Sequence, residues 1–152
     1  MTKLHSRKTG TPPYLVDDNL YRGPYPDEGL LQQIQHLGVI RLVTLCDEPF
    51  ESRAIKSECK SRGLQNFHIP LSPFVRPRRH EIANFLELLE QRHKAATYVH
   101  CIHGRDRTGS MLGIFRLSQG WPLVDALDEM KQHGFGMEYG ELIAAVRDYS
   151  QF

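Results

Sequence analysis

The chain has 152 residues, 40% of them hydrophobic, which is enough for one domain with a proper core; residues 14–152 are expected to form it behind a loosely ordered segment 1–13. Nineteen Lys and Arg against eighteen Asp and Glu leave a formal charge of +1, too little field to draw the chain to nucleic acid or an anionic membrane. Residues 1–13 lack an apolar signal core, no later run approaches the roughly eighteen apolar residues of a membrane span, and the three cysteines are an odd set at unrelated spacings. Together these point to a monomeric cytoplasmic protein with reduced thiols and no nucleic-acid partner.

Residues 19–23, NLYRG, are predicted as a short strand after a Pro-containing lead-in. Leu30, Leu31, Ile34 and Leu37 fall at helical spacing across residues 27–37, and Gly38 stops that helix. Residues 39–45, VIRLVTL, are the clearest strand. A helix over residues 50–62 closes at Gly63, and residues 64–71 are again extended, with Pro70 near their end. Residues 70–79, PLSPFVRPRR, hold three prolines and three arginines, a composition that continues neither a helix nor a central strand. They form a candidate substrate-facing loop.

Ile82, Phe85, Leu86, Leu88 and Leu89 mark an amphipathic helix over residues 79–93, and residues 97–101 are a short strand. Further helices are predicted over 108–119, stopped by Gly120, and over 123–133 and 137–149. The alternation predicts an α/β fold, with a central, mostly parallel sheet of four to five strands flanked by helices.

Residues 99–110, VHCIHGRDRTGS, set a thiol at the end of an apolar run and an arginine six residues on. In a strand, loop and helix unit the loop N–H groups and the helix N-terminus converge on an anion, and phosphate is the natural occupant. Ile102, His103, Gly104, Arg105, Asp106 and Arg107 would form that cradle. The same positive environment stabilises a thiolate, bringing a cysteine pKa from about 8.5 into the range of roughly 3.5–7.5. Cys101 is therefore the candidate nucleophile. Arg107 supplies a planar fork for two phosphoryl oxygens, which lysine cannot. Gly104 allows the tight backbone path and Gly109 close packing of the helix. Thr108 can donate to the Cys101 sulfur as it leaves, and His100 orders the loop by hydrogen bonding.

These residues resemble the signature of the cysteine-dependent protein tyrosine and dual-specificity phosphatases: His-Cys, five residues, Arg, then Thr or Ser. "LYRGPYP", "LVTLCDEPF" and "SPFV" are similar to segments of the small atypical dual-specificity group, so the resemblance covers most of residues 19–150. It implies a phosphatase-like domain, hydrolysis of phosphate monoesters through a cysteinyl-phosphate, and no cofactor or metal. The substrate it implies is a phosphorylated protein, with a phosphorylated inositol or lipid as the alternative. One departure is that residues 64–80 contain no Asp or Glu where the family's general acid usually lies. Asp106 is the leading replacement, ahead of Asp47, Glu48 and Glu81. A phosphate-binding pseudoenzyme is the competing reading. Cys46, which follows the strand over 39–45 at the same sheet edge as Cys101, is a candidate redox partner of the nucleophile, and Cys59 a structural thiol.

Overall fold

A computed structural model describes residues 10–151, so most of the segment expected to be loosely ordered lies outside the described residues. Five strands form one sheet: β1 Tyr14–Asp17, β2 Leu20–Gly23, β3 Arg41–Cys46, β4 Gln65–Leu71 and β5 Thr97–His100. Their order across the sheet is β1-β2-β5-β3-β4, with β1 antiparallel to β2 and every other pairing parallel. The α/β reading stands, with five strands. β1 was not anticipated, because its pairing depends on a tight Asp18–Asn19 turn in which Asn19 takes a φ of 59°. Asn tolerates that left-handed conformation, so a polar pair that looks like lead-in becomes a hairpin corner.

Six α-helices cover the sheet: α1 Glu28–His36, α2 Pro49–Arg62, α3 Arg79–Glu90, α4 Arg107–Ser118, α5 Leu123–Gln132 and α6 Gly140–Tyr149. Their ends follow local chemistry. Asp27 accepts from the Leu30 N–H at 2.8 Å to start α1, Pro49 opens α2, and Gly63 ends α2 at a φ of 73°. The helix predicted over residues 79–93 gives way to a 3₁₀ turn at Gln91–His93, and α6 begins three residues later than expected, at Gly140.

Side chains alternate across the strands and build two cores. On one face Leu42 of β3 and Tyr98 of β5 pack with Ile34 of α1 and with Ile55 and Cys59 of α2. On the other, Val43, Val99 and Cys101 pack with residues of α3, α4, α5 and α6. Each fully buried aliphatic side chain contributes about 1.5–3 kcal/mol. The central helix α4 is buried on all sides from Arg107 to Arg116. Gly113 makes that possible, because a Cβ there would meet Met130 Sδ of α5 at 2.9 Å. The helix that follows the Cys101 loop is thus enclosed, with its N-terminus fixed at the C-terminal edge of the sheet.

Candidate active site

β5 ends at His100 and α4 starts at Arg107, so residues 101–106 form the connecting loop. Among the described residues, none of the backbone N–H groups of residues 102–107 donates to a protein acceptor. Unpaired N–H groups are costly unless something accepts from them, and a run of them before a helix N-terminus is an anion cradle. The loop carbonyls are engaged instead. The Tyr25 N–H donates to Ile102 O at 2.8 Å, His100 Nδ1 to Cys101 O at 2.9 Å, and Arg22 Nη2 to Gly104 O at 3.1 Å. Gly104 has a φ of 73°, and a Cβ there would collide with the Gly23 carbonyl.

His100 is wholly buried, and burial pushes its pKa down to about 4, so the ring is neutral at physiological pH. A carbonyl only accepts, so Nδ1 carries the proton. Nε2 then accepts from the Thr44 hydroxyl at 2.8 Å, and Thr44 Oγ1 accepts from Asn66 Nδ2 at 2.9 Å. A hydrogen-bonded chain thus runs from β4 through β3 to the backbone of Cys101.

The Cys101 side chain is buried at the loop's start. The Thr108 hydroxyl is also buried and makes no hydrogen bond to Cys101 or to any other described residue. Gly109 packs under Phe135, whose Cδ2 would lie 3.2 Å from a Cβ at that position. Asp106 sends Oδ1 to the Gly136 N–H at 2.7 Å, tying the loop to the segment between α5 and α6. Its other oxygen has no partner among the described residues. His103 and Arg105 are exposed, with the Arg105 stem against Gly134.

Arg107 is held by two carboxylates that sequence reasoning ranked only as secondary acids. Its Nη1 donates to Asp47 Oδ1 at 2.9 Å, Glu48 Oε1 at 3.0 Å and Leu71 O at 2.9 Å, and its Nη2 to Glu48 Oε2 at 3.1 Å. Burial alone would raise the Glu48 pKa, but the Arg107 fork holds it below the usual carboxylate value. Thr44 of β3 pairs with His100 of β5, so the residues that follow the two strands leave the same sheet edge together. An acidic pair directly after a parallel strand was the available signal.

Other sequence candidates lie elsewhere. Glu81 accepts from the Arg78 N–H at 2.8 Å and caps α3. Arg76 turns toward α6, bonding Glu141 at 3.1 Å and Asp148 at 2.6 Å. With Arg79 it lines a groove of about 860 Å³ shared with Leu117 and Ser118, at the end of α4 remote from Arg107. Cys46 is fully buried at the end of β3, where burial pushes its thiol pKa up; Arg107 and Cys101 are among the groups that act on it electrostatically. Cys59 lies in the α1–α2 core, with its pKa raised by burial to about 11. Among the described residues no three His, Cys, Asp or Glu side chains converge as metal ligands would, and no helix is long and apolar enough to cross a membrane.

A mostly parallel sheet that places a cysteine at the start of a loop of unpartnered N–H groups, closed by an arginine at a buried helix, is the arrangement of the cysteine-dependent phosphatase class. Residues 14–144 match the tyrosine phosphatase family, and the chain belongs to it. Inositol diphosphatase DSP1 of Oryza sativa subsp. japonica is 27% identical over 122 residues, covering 78% of this chain and 54% of that protein. Dual specificity protein phosphatase TpbA of Pseudomonas aeruginosa is 30% identical over 130 residues, covering 82% of this chain and 56% of that protein. The chain therefore spans little more than half the length of these relatives. The crystal structure of P. aeruginosa TpbA superposes with a TM-score of 0.78 at 24% identity, over 95% of this chain and 90% of that one. The core catalytic domain of the PP-IP phosphatase SIW14 from S. cerevisiae, in complex with citrate, gives 0.75 at 21% identity, over 86% and 80%. Both likenesses are in fold.

Proposed function

We propose that the protein hydrolyses phosphate monoesters of the phosphotyrosine and dual-specificity type through a cysteinyl-phosphate on Cys101. The observation that carries this reading is the run of unpartnered N–H groups at residues 102–107 around a buried cysteine. In the first step the Cys101 thiolate attacks phosphorus, the P–O ester bond breaks, and the departing oxygen takes a proton from Asp106 through its free oxygen. In the second, water attacks the phosphocysteine, Asp106 takes the proton, and the sulfur leaves toward the Thr108 hydroxyl. Arg107, with the N–H groups of Ile102, His103, Gly104, Arg105 and Asp106, carries the charge on the transferring group.

A second reading, an inositol phosphate as substrate, is favoured by the likeness to the rice inositol diphosphatase and by exposed Arg105 and His103 beside the cradle. The test is hydrolysis of para-nitrophenyl phosphate by the wild-type chain and by Cys101→Ser. Vanadate-sensitive turnover that survives chelator and disappears in the variant is the expected result. A wild-type chain that binds phosphate without turnover would make it a binding module. Phosphotyrosine peptides assayed beside inositol polyphosphates then rank the two substrate readings.

A further inference from the structure

Four arginines are buried among the described residues: Arg107 holds Asp47 and Glu48 as described above, and two of the other three have evident partners. Arg41 bonds Thr97 Oγ1, Gln91 Oε1 and the Leu88 carbonyl. Arg116 donates from Nε to Glu129 Oε1 at 3.1 Å and from Nη2 to Glu129 Oε2 at 3.1 Å, reaches Val16 O at 2.7 Å, and lies 4.3 Å from the Trp121 ring centroid. Arg22 differs. It is 1% exposed, its Nη2 reaches only the Gly104 carbonyl, and its buried Nε finds no acceptor among the described residues. An isolated buried charge costs several kcal/mol unless an opposite charge faces it.

Charge balance identifies what faces it. The groups acting electrostatically on Arg22 are Glu129 of α5, Arg116 of α4, Tyr98 of β5 and Cys101. Tyr98 is neutral and donates its hydroxyl to Pro24 O at 2.6 Å. Glu129 already spends both oxygens on Arg116. Two buried guanidiniums therefore share one buried carboxylate, and the cluster lacks one negative charge. A negative charge on Cys101 would supply it. From its own side Cys101 acts electrostatically on Arg22, Arg107, Cys46 and Tyr98, and Arg107 is engaged with Asp47 and Glu48.

We propose that Arg22, fixed on β2 behind the loop, is the resident countercharge of the Cys101 thiolate, a positioning residue that keeps the nucleophile ionised from the side away from substrate. The inference rests on Cys101 being the nucleophile. Its position fits, because the guanidinium lies between Gly104 O and the first turn of α4, with Nη2 3.8 Å from where a Gly109 Cβ would stand. It stands on β2, outside the loop, so its charge does not depend on what Arg107 engages.

The experiment is the pH dependence of Cys101 alkylation by iodoacetamide, read by mass spectrometry, beside the acidic limb of kcat/KM. Arg22→Gln keeps a donor for Gly104 O but removes the charge, and is expected to move both profiles upward by about one pH unit or more. Arg22→Lys keeps the charge and is expected to stay within about tenfold of wild-type kcat/KM, with its alkylation profile in place. A folded Arg22→Gln protein with unmoved profiles overturns the proposal, leaving Arg22 as a loop tether. So does Arg22→Lys falling more than about tenfold, which decides the matter even if Arg22→Gln fails to fold. Failure of the underlying reading is distinguishable, because a wild-type Cys101 that alkylates only at the pH of an ordinary thiol shows it without any variant.

Discussion

Acid should weaken this fold through His100 before it weakens it through carboxylates. The folded ring is held neutral by burial, with a pKa lowered from 6.5 to about 4, whereas the unfolded chain leaves it free to take a proton. Below pH 6.5 the unfolded state therefore binds more protons than the folded one, and stability falls as pH falls until the folded ring also protonates near 4. That span of about two and a half pH units, at about 1.4 kcal/mol each, amounts to about 3 kcal/mol, a large part of a domain's stability. His100→Asn removes the titration. Urea unfolding followed by the fluorescence of buried Trp121, for wild type and variant across this window, should show the wild-type advantage constant above pH 7 and shrinking by about 3 kcal/mol toward pH 4. The other titrating groups cancel in the difference, including Glu48, whose depressed pKa removes stability only at lower pH. A difference that is flat with pH would refute the reasoning and mean that His100 is already protonated or solvated in the folded protein.

Arg107→Lys should retain less than about a tenth of wild-type kcat/KM, a loss above about 1.4 kcal/mol, because one ammonium cannot grip Glu48 and a phosphoryl group as the fork does; greater retention in a steady-state assay would remove Arg107 from the mechanism. Peroxide should convert Cys101 to a sulfenic acid, which the Cys46 thiol condenses to a disulfide with release of water, so wild-type activity returns with thiol reductant; equal recovery by Cys46→Ser, or no Cys46–Cys101 link by mass spectrometry, counts against it. Asp106→Asn should lose about 10²-fold on an alkyl phosphate and much less on an activated aryl ester if Asp106 protonates the leaving group. Equal losses on both would leave Asp106 as the tether to Gly136.

Local chemistry made the frame readable: Asp27 and Gly38 bracket α1, Pro49 and Gly63 bracket α2, and the run ending at Cys101 announces a strand delivering the candidate nucleophile. What stayed hidden was nonlocal. Arg22, Arg41 and Arg116 carry the charge of surface residues, and nothing adjacent in sequence says that they are interior. Arg107 meets Glu48 across 59 positions, and Asp106 meets Gly136 across 30. The burial of α4 on all sides depends on helices that arrive later in the chain. Arg76 reads as a substrate-facing cation because Glu141 and Asp148, which claim it, come 65 and 72 residues on.

The tethers of the Cys101 loop share one logic. A peptide unit points its carbonyl and its N–H in opposite directions, so whatever pulls the carbonyl outward turns the N–H inward. The Tyr25 N–H, His100 Nδ1 and Arg22 Nη2 each donate to a loop carbonyl, at Ile102, Cys101 and Gly104, and each comes from a different part of the sheet edge. The Asp106 and Arg107 side chains fasten the far end to the α5–α6 segment and to the residues after β3. None of these bonds consumes an N–H of residues 102–107, so the contacts that rigidify the loop do not compete with the anion it would hold. Each bond is worth only about 1 kcal/mol net to stability, but their common direction aims the donors before substrate arrives. Preorganisation of that kind acts on the transition state without the reorganisation that a free loop would require.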